Sequence, residues 1–123
     1  MIKLKNLRSD LQFKRLLSQK KINTNYFSVY FGKNLMKENN NKLNINFIMK
    51  KKVGNSVVRN KIKRRLRSAI QEKLKNKKII DINYSYIIFG KSKAFSEKYS
   101  IISDELDKTF HKINQINNWN EVC

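Results

Sequence analysis

The sequence predicts an α+β domain in which helices pack on a small mixed sheet. Its 123 residues suit one domain with a single modest core. Apolar residues alternate at strand spacing in some segments and recur at helical spacing in others. These segments follow one another in the order α, β, β, α, β, α, without internal repeats. We therefore predict one domain covering residues 1–123.

The first element is predicted to be a short helix within SDLQFKRLLSQKK. Ser9 and Asp10 are suitable N-cap residues, because their side-chain oxygens accept hydrogen bonds from free backbone N–H groups. Phe13, Leu16 and Leu17 follow at the spacing of one helical face.

Two strands are predicted next from strict alternation of side chains. The first is YFSVYF at residues 26–31, and the second is INFIM at residues 45–49, after a polar connection. We expect the two to form a hairpin or a meander pair. The predicted core side chains are Phe27, Val29, Phe31, Ile45, Phe47 and Met49; Tyr26, Ser28 and Tyr30 face the other way.

A long helix is predicted after Gly54, from about Asn55 or Ser56 to Leu74. Its apolar residues fall within a narrow arc at the helical period, so that this stripe should lie on the sheet. The stripe consists of Val58, Ile62, Leu66, Ala69 and Ile70.

The last strand and the last helix complete the order. YSYIIFGK is predicted to be a strand that ends at Gly90, preceded by a linker and strand entry in NKKIIDIN. SDELDKTFHKINQI is predicted to be a helix capped by Ser103, with acidic residues in its first turn. Its core face consists of Leu106, Phe110 and Ile113.

The charge of the chain indicates a polyanionic partner. Twenty-eight basic and nine acidic side chains give a net charge of +19, which opposes compaction unless counterions or a polyanion screen it. An A/T-biased gene would also enrich Lys, Asn and Ile, but it would leave arginines scattered. Instead, four of the six arginines fall within nine residues of the long helix. They are Arg59, Arg64, Arg65 and Arg67.

The positive charge lies on one side of that helix. Asn60, Arg64 and Arg67 are opposite the apolar stripe on a helical wheel. Residues 50–67 contain nine basic residues and no acid, whereas a merely solvated face usually mixes both signs. Arginine can grip phosphate oxygens with two parallel hydrogen bonds, and backbone amides at the helix start can also hold a phosphate. The pattern therefore favours a nucleic-acid-binding surface.

The segment KKKVGNSVVRNKIKRRLR resembles the signature of the bacterial ribonuclease P protein subunit. In that family two lysines, a Gly-Asn turn and an Arg-Asn-Arg triplet open a long basic helix. The first helix, the FSVY strand, and the YIIFGK strand with its following helix also fit, so that the resemblance covers nearly the whole chain. It implies a two-layer α/β sandwich with a left-handed βαβ crossover, an exception to the usual handedness.

The resemblance also implies a function, that of the protein component of an endoribonuclease that removes the 5′ leader from precursor tRNA. The RNA subunit would carry out the hydrolysis with Mg²⁺, held mainly by that RNA and the substrate, while the protein assists substrate and ion binding. The residues implied to bind the catalytic RNA are Lys51, Lys52, Arg59, Asn60, Lys61, Lys63, Arg64, Arg65 and Arg67. Those implied to bind the single-stranded leader are Phe13, Leu17 and Tyr30. No catalytic residue, protein-bound metal or protein partner is implied.

The chain departs from the family pattern at three positions. Lys61 replaces the third arginine of the triplet and loses its bidentate fork. Leu17 stands where a second aromatic residue is common, which reduces the stacking surface expected in the leader cleft. Lys50 adds a positive charge ahead of the usual pair.

Other classes of function fit the sequence less well. A self-sufficient nuclease needs a base or paired metal-binding carboxylates, but His111 is the only histidine and the acids near Asp104 suit a helix N-terminus. A small ribosomal-type RNA-binding protein remains the alternative. A helix-turn-helix reader needs a helix where a strand is predicted, and a membrane-surface helix needs bulky aromatic residues on its apolar stripe. The lone Cys123 and the lack of a signal or membrane-spanning segment predict a cytoplasmic protein.

Overall fold

The computed structural model describes the backbone at residues 2–7, 10–34, 42–76 and 79–122, and the side chains in these ranges except at 76 and 118–122. It contains an α+β fold, as predicted. The strands are β1 (Lys3–Lys5), β2 (Lys20–Asn23), β3 (Phe27–Lys33), β4 (Lys42–Ile48) and β5 (Tyr84–Gly90). The helices are α1 (Asp10–Leu17), α2 (Ser56–Asn76) and α3 (Tyr99–Val122), with short 3₁₀ turns at Lys51–Val53 and Ser92–Ala94.

The five strands form one mixed sheet in the order β1-β4-β5-β3-β2. β5 lies at the centre, parallel to β4 and antiparallel to β3. The predicted hairpin or meander of β3 and β4 is therefore wrong, because β5 is inserted between them. The β4-α2-β5 segment is a parallel βαβ unit. The left-handedness of its crossover stays a prediction.

The edge strands β1 and β2 were not predicted. β1 pairs in parallel with β4, and β2 pairs antiparallel to β3. Their sequences, KLK and KKIN, are short and basic and lack an apolar alternation. Lysines on short edge strands also discourage pairing with other chains, which explains why such strands tolerate this composition.

The core lies between one face of the sheet and the pair α2 and α3. α2 buries its predicted stripe, and α3 buries the predicted Leu106, Phe110 and Ile113; only Val58 is half-buried. The rings of Tyr86 and Phe110 meet edge to face at 5.2 Å between centroids. These two layers agree with the predicted sandwich. α1 lies on the opposite face, where a Cβ added to Gly32 would approach Leu16 Cδ1 to 2.9 Å.

The start of α2 was predicted correctly, whereas the start of α3 was not. The side chain of Asn55 accepts a hydrogen bond from the backbone N–H of Val58 at 3.0 Å, as an N-cap should. A Cβ at Gly54 would lie 2.7 Å from Val58 Cγ1, so that the turn can pack this closely on the helix only with glycine. α3 begins at Tyr99, one turn before the predicted cap Ser103.

A buried ion pair joins the two helices of the core layer. The Lys73 ammonium lies 3.0 Å from Asp107 and donates a hydrogen bond to Ser103 Oγ at 2.7 Å. Lys73 is only 4% exposed, so that its charge needs this partner. Asp107 of α3 thus serves the packing of the two helices. No helix within the described ranges is long and apolar enough to cross a membrane.

Candidate nucleic-acid interface

The outer face of α2, defined by Asn60, Arg64 and Arg67, is exposed to solvent. It is fixed by the opposite stripe, because Ile62 and Leu66 are fully buried against the sheet. The one-sided charge predicted for this helix is thereby confirmed. Cationic forks at this spacing on a rigid helix can contact successive phosphates.

One flank of α2 turns towards β1 and β4. Lys63 and Arg67 border a polar cavity of about 200 Å³ together with Asn46 and Phe47 of β4. Arg59, one turn earlier, is half-buried, and its Nε is buried without a hydrogen-bond partner among the described residues. A buried N–H without an acceptor is costly.

The other flank of α2 contacts the connection between β5 and α3. The guanidinium of Arg65 donates hydrogen bonds to the carbonyl oxygens of Ala94, Phe95 and Glu97. The Lys61 ammonium lies 4.4 Å from the centroid of the Phe95 ring, a cation–π contact. Two of the residues predicted to bind RNA therefore already have intramolecular partners.

The loop before α2 carries exposed lysines. Lys51 and Lys52 form a single 3₁₀ turn, in which the N–H of Val53 donates to the carbonyl of Lys50 at 3.0 Å. This turn brings the lysine run beside the N-terminus of α2. The loop is thus continuous with the outer face of α2.

A second basic site, the aromatic cleft, lies on the sheet face that carries α1. Tyr30 of β3 and Phe89 of β5 meet edge to face, with 5.6 Å between ring centroids and 74° between planes. Lys21 Nζ lies 5.4 Å from the Tyr30 centroid, and Lys50 Nζ lies 5.3 Å from the Phe89 centroid. Aromatic rings flanked by ammonium groups suit a nucleotide, because the rings can stack on a base while the cations neutralise its phosphate.

The aromatic cleft encloses about 360 Å³. Lys91 borders it and donates hydrogen bonds to Asn23 Oδ1 and to the carbonyl of Thr24, both at 2.5 Å. Burial lowers the pKa of Lys91, and the neighbouring ammonium groups of Lys21 and Lys93 lower it further. A bound anion would relieve this repulsion. The lining also includes Ser28, Lys52, Val53, Gly90 and Ser92.

Phe13 and Leu17 lie on α1 with half-buried side chains, outside the lining of the aromatic cleft. A second cavity of about 360 Å³ is bordered by Leu11, Arg15 and Leu16 of α1. On a helical wheel Phe13 and Leu17 occupy the flank of α1 opposite Arg15. The structure thus brings Tyr30 together with Phe89 and with lysines. Phe13 and Leu17 do not line the same cleft.

Several residues of the aromatic cleft were missed by sequence reasoning, chiefly Lys21, Phe89, Lys91, and Lys50 as a cleft residue. The signal for Phe89 was present in YSYIIFGK, where it alternates with the buried Ile88 and so faces the same side as Ile87. The register that pairs Ser28 with Phe89 and Tyr30 with Ile87 could not be read from the sequence. Lys21 belongs to the unpredicted β2.

Groups that could support protein-borne catalysis are sparse. His111 and Asp104 are exposed on α3, whose Asp107 is engaged in the ion pair with Lys73. Across the described part of the chain, no three His, Cys, Asp or Glu side chains cluster as metal ligands would.

Comparison with known proteins gives consistent matches over nearly the whole chain. A family model described as Ribonuclease P matches residues 1–114. The ribonuclease P protein component of Mesoplasma florum is 27% identical over 105 residues, covering 85% of this chain and 90% of that protein. The corresponding protein of Mycoplasma mycoides subsp. mycoides is 28% identical over 108 residues, covering 87% and 94%.

Solved structures show the same fold. A mutant RNase P protein of Staphylococcus aureus with defective mRNA degradation activity has a TM-score of 0.70 at 25% identity, over 89% of this chain and 87% of that one. The RNase P protein from Thermotoga maritima has a TM-score of 0.70 at 22% identity, over 88% and 96%. The matched residues include α2, its preceding loop and the aromatic cleft.

Proposed function

We propose that this chain, which belongs to the ribonuclease P protein family, binds the catalytic RNA through α2 and the 5′ leader of precursor tRNA in the aromatic cleft. It is the protein component of a bacterial endoribonuclease of tRNA processing, in which RNA carries the chemistry. The observation that carries the proposal is the Tyr30–Phe89 pair with a lysine beside each ring. The residues in these two roles remain predictions.

The contact with the catalytic RNA is assigned to α2 and the loop before it. Exposed cations on the outer face of α2 would neutralise phosphates of the RNA. Asn60 adds a donor and an acceptor for sugar hydroxyls or base edges. The residues proposed for this contact are Lys51, Lys52, Arg59, Asn60, Lys61, Lys63, Arg64 and Arg67.

The leader is assigned to the aromatic cleft because single-stranded RNA offers unstacked bases. Base–aromatic stacking contributes about 1 to 3 kcal/mol per base and tolerates any sequence. This suits a site that serves many different leaders. Mature tRNA lacks the leader, so that stacking in the cleft favours the precursor alone.

Phe13 and Leu17 are proposed to extend this path along α1. Leu16 packs against Gly32, and Tyr30 lies two residues away on the same face of β3. Phe13 and Leu17 lie on the flank of α1 opposite Arg15, which borders the second cavity, and neither of them lines that cavity. A leader that crosses Tyr30 would therefore reach this flank.

Mg²⁺ is proposed to be held mainly by the RNA subunit and the substrate, with the protein supporting its binding by fixing the RNA. No side chain of this chain is assigned as a ligand. A cytoplasmic location is proposed with it, since precursor tRNA and the catalytic RNA are found there.

The function is tested by mixing the purified protein with a bacterial ribonuclease P RNA and precursor tRNA at low magnesium. We expect cleavage at the leader junction only when protein and RNA are both present. A ribosomal-type protein, which the comparisons do not favour, would bind RNA in this assay without restoring cleavage. Protein-dependent binding with no cleavage would therefore contradict the proposal.

A further inference from the structure

The turn at residues 91–97, called here the cleft turn, links the RNA-binding helix to the aromatic cleft. We infer that Arg65 is a positioning residue that holds this turn for leader binding, and not a ligand of RNA phosphates. The inference rests on the proposed function of the aromatic cleft. It reassigns one member of the arginine cluster on α2.

Arg65 is committed to the cleft turn by three hydrogen bonds. Its Nη1 donates to the carbonyl oxygens of Ala94 at 2.6 Å and Phe95 at 3.0 Å, and its Nη2 donates to the carbonyl oxygen of Glu97. Three of the four terminal N–H groups are thereby used. An end-on bidentate grip on phosphate, through both terminal nitrogens, would have to break these bonds. Arg64, the next residue, is exposed and suited to that grip.

Lys61 supports the same contact from one turn earlier on α2. Its ammonium lies over the Phe95 ring, so that two cations of α2 hold one short stretch of the cleft turn. Ala94 is fully buried and anchors that stretch in the core. The turn therefore moves with α2 as one unit.

The other end of the cleft turn belongs to the cleft itself. The N–H of Lys91 donates to the carbonyl of Tyr26 at 2.9 Å, and Lys91 and Ser92 line the cavity beside Phe89. The Tyr26 hydroxyl donates to Glu97 Oε2 at 3.0 Å. Tyr26, directly before β3, thus holds the turn at both ends, while α2 holds it between them.

This arrangement couples the two RNA sites. When the catalytic RNA fixes α2, Arg65 fixes the cleft turn, and Lys91 at the start of that turn is held in the lining of the aromatic cleft, ready for the leader. Replacing Arg65 frees the turn while leaving the outer face of α2 unchanged. Arg65 should therefore affect leader binding more than assembly with the RNA.

The test uses Arg65→Lys, which keeps the charge but loses the fork, and Arg65→Met, which keeps the length alone. Arg64→Met is the contrast, because it removes a neighbouring arginine that is exposed. Hydrogen exchange in the free protein is measured first. In both Arg65 variants we expect faster exchange at the amides of Lys91, Ala94 and Phe95 and unchanged exchange within α2. In Arg64→Met we expect unchanged exchange at all of these amides. Unchanged exchange in the cleft turn would overturn the inference.

The reconstituted holoenzyme gives the second measurement. Both Arg65 variants should lose about fivefold or more of the preference for precursor over mature tRNA, the lower end of coupling between two sites. The salt dependence of RNA assembly should stay as in wild type, whereas Arg64→Met should reduce it. The contrary result has two parts. Arg65→Met would reduce the salt slope while Arg65→Lys keeps it as in wild type, and both variants would keep the preference for precursor tRNA. Arg65 would then be a phosphate ligand, and the inference would be overturned.

The proposed function of the aromatic cleft and the role of Arg65 can be contradicted by different results. A wild-type holoenzyme without any preference for precursor tRNA would contradict the proposed function of the aromatic cleft and the leader role of Arg65 with it. The exchange measurement does not involve RNA. It decides by itself whether Arg65 holds the cleft turn.

Discussion

The outer face of α2 and the aromatic cleft are both strongly basic, but they are built differently. On α2 the cations project into solvent from a helix that is fixed by its buried stripe. In the cleft the lysines lie over aromatic rings on the sheet. Cations on an open helical face bind any phosphate backbone, whereas cations beside aromatic rings favour unpaired bases that can stack on those rings. Under the proposed function, the outer face of α2 would therefore supply affinity for RNA and the aromatic cleft would supply discrimination between precursor and mature tRNA.

The largest effect is expected from replacing Arg64 and Arg67 together with Ala. Assembly with the catalytic RNA should weaken by about 3 kcal/mol at low salt, taking about 1.5 kcal/mol for each charge-assisted contact. The plot of log K against log salt should flatten by about 0.7 to 0.9 for each lost phosphate contact. Filter binding across a salt series measures both. An unchanged slope with an intact fold would assign this face to solvation.

Tyr30→Ala should have the next largest effect. Affinity of the holoenzyme for precursor tRNA should fall by about 1 to 3 kcal/mol if one stacked base is lost, with mature tRNA binding nearly unchanged. Phe89→Ala should behave alike, because the two rings form one pair. Leu11→Ala, which removes a 78% exposed apolar side chain on the far side of α1, is the matched control.

If the Tyr30 and Phe89 variants keep the salt dependence of assembly with the catalytic RNA, the aromatic cleft and the outer face of α2 act separately. If both variants instead retained the full preference for precursor tRNA, the cleft would not bind the leader. Paired affinities for tRNA with and without a leader of several nucleotides decide this point.

A smaller effect is expected when sulfate replaces chloride. The free protein carries a charge of +19. If the folded protein has sites for anions, its free energy of unfolding should rise by about 1.4 kcal/mol at a sulfate concentration of about ten times the dissociation constant. Thermal unfolding at matched ionic strength measures the gain. Equal melting in the two salts would count against specific anion sites in either region.

The smallest effect concerns acid. Hydrogen bonds from the N–H of Lys98 and from the Tyr26 hydroxyl lower the pKa of Glu97. Such a carboxylate stabilises the fold above its ordinary pKa of roughly 4.3, and this contribution is lost as the pH falls through the lowered value. Glu97→Gln should therefore reduce the loss of melting temperature between pH 6 and strongly acidic pH. If the melting temperature of the variant fell with pH as much as that of the wild type, the Glu97 carboxylate would not contribute to stability through these hydrogen bonds.

The outer face of α2 could be predicted from the sequence because it depends on one element. The cap at Asn55, the buried stripe and the exposed Arg64 all follow from helical periodicity. The family resemblance added the functional assignment.

The aromatic cleft could be predicted only in part because it depends on strand register. Tyr30 was found from alternation within β3, but its partner Phe89 comes from a strand more than fifty residues later. Lys21 lies on β2, whose sequence carries no apolar alternation. The role of Arg65 was hidden for the same reason, since its acceptors are backbone carbonyls of a distant turn.

The central position of β5 has a consequence for biosynthesis. β5 is the last strand to leave the ribosome, yet it pairs with both β3 and β4. Until it is synthesised, those two strands have unsatisfied edges and α2 has an incomplete surface to cover. Pairing at such long sequence separation is slow, because a large loop must close before any contact forms. The basic helix therefore leaves the ribosome before the sheet that orients it is complete, and the nascent chain can associate nonspecifically with nearby nucleic acid until Tyr84–Gly90 is added.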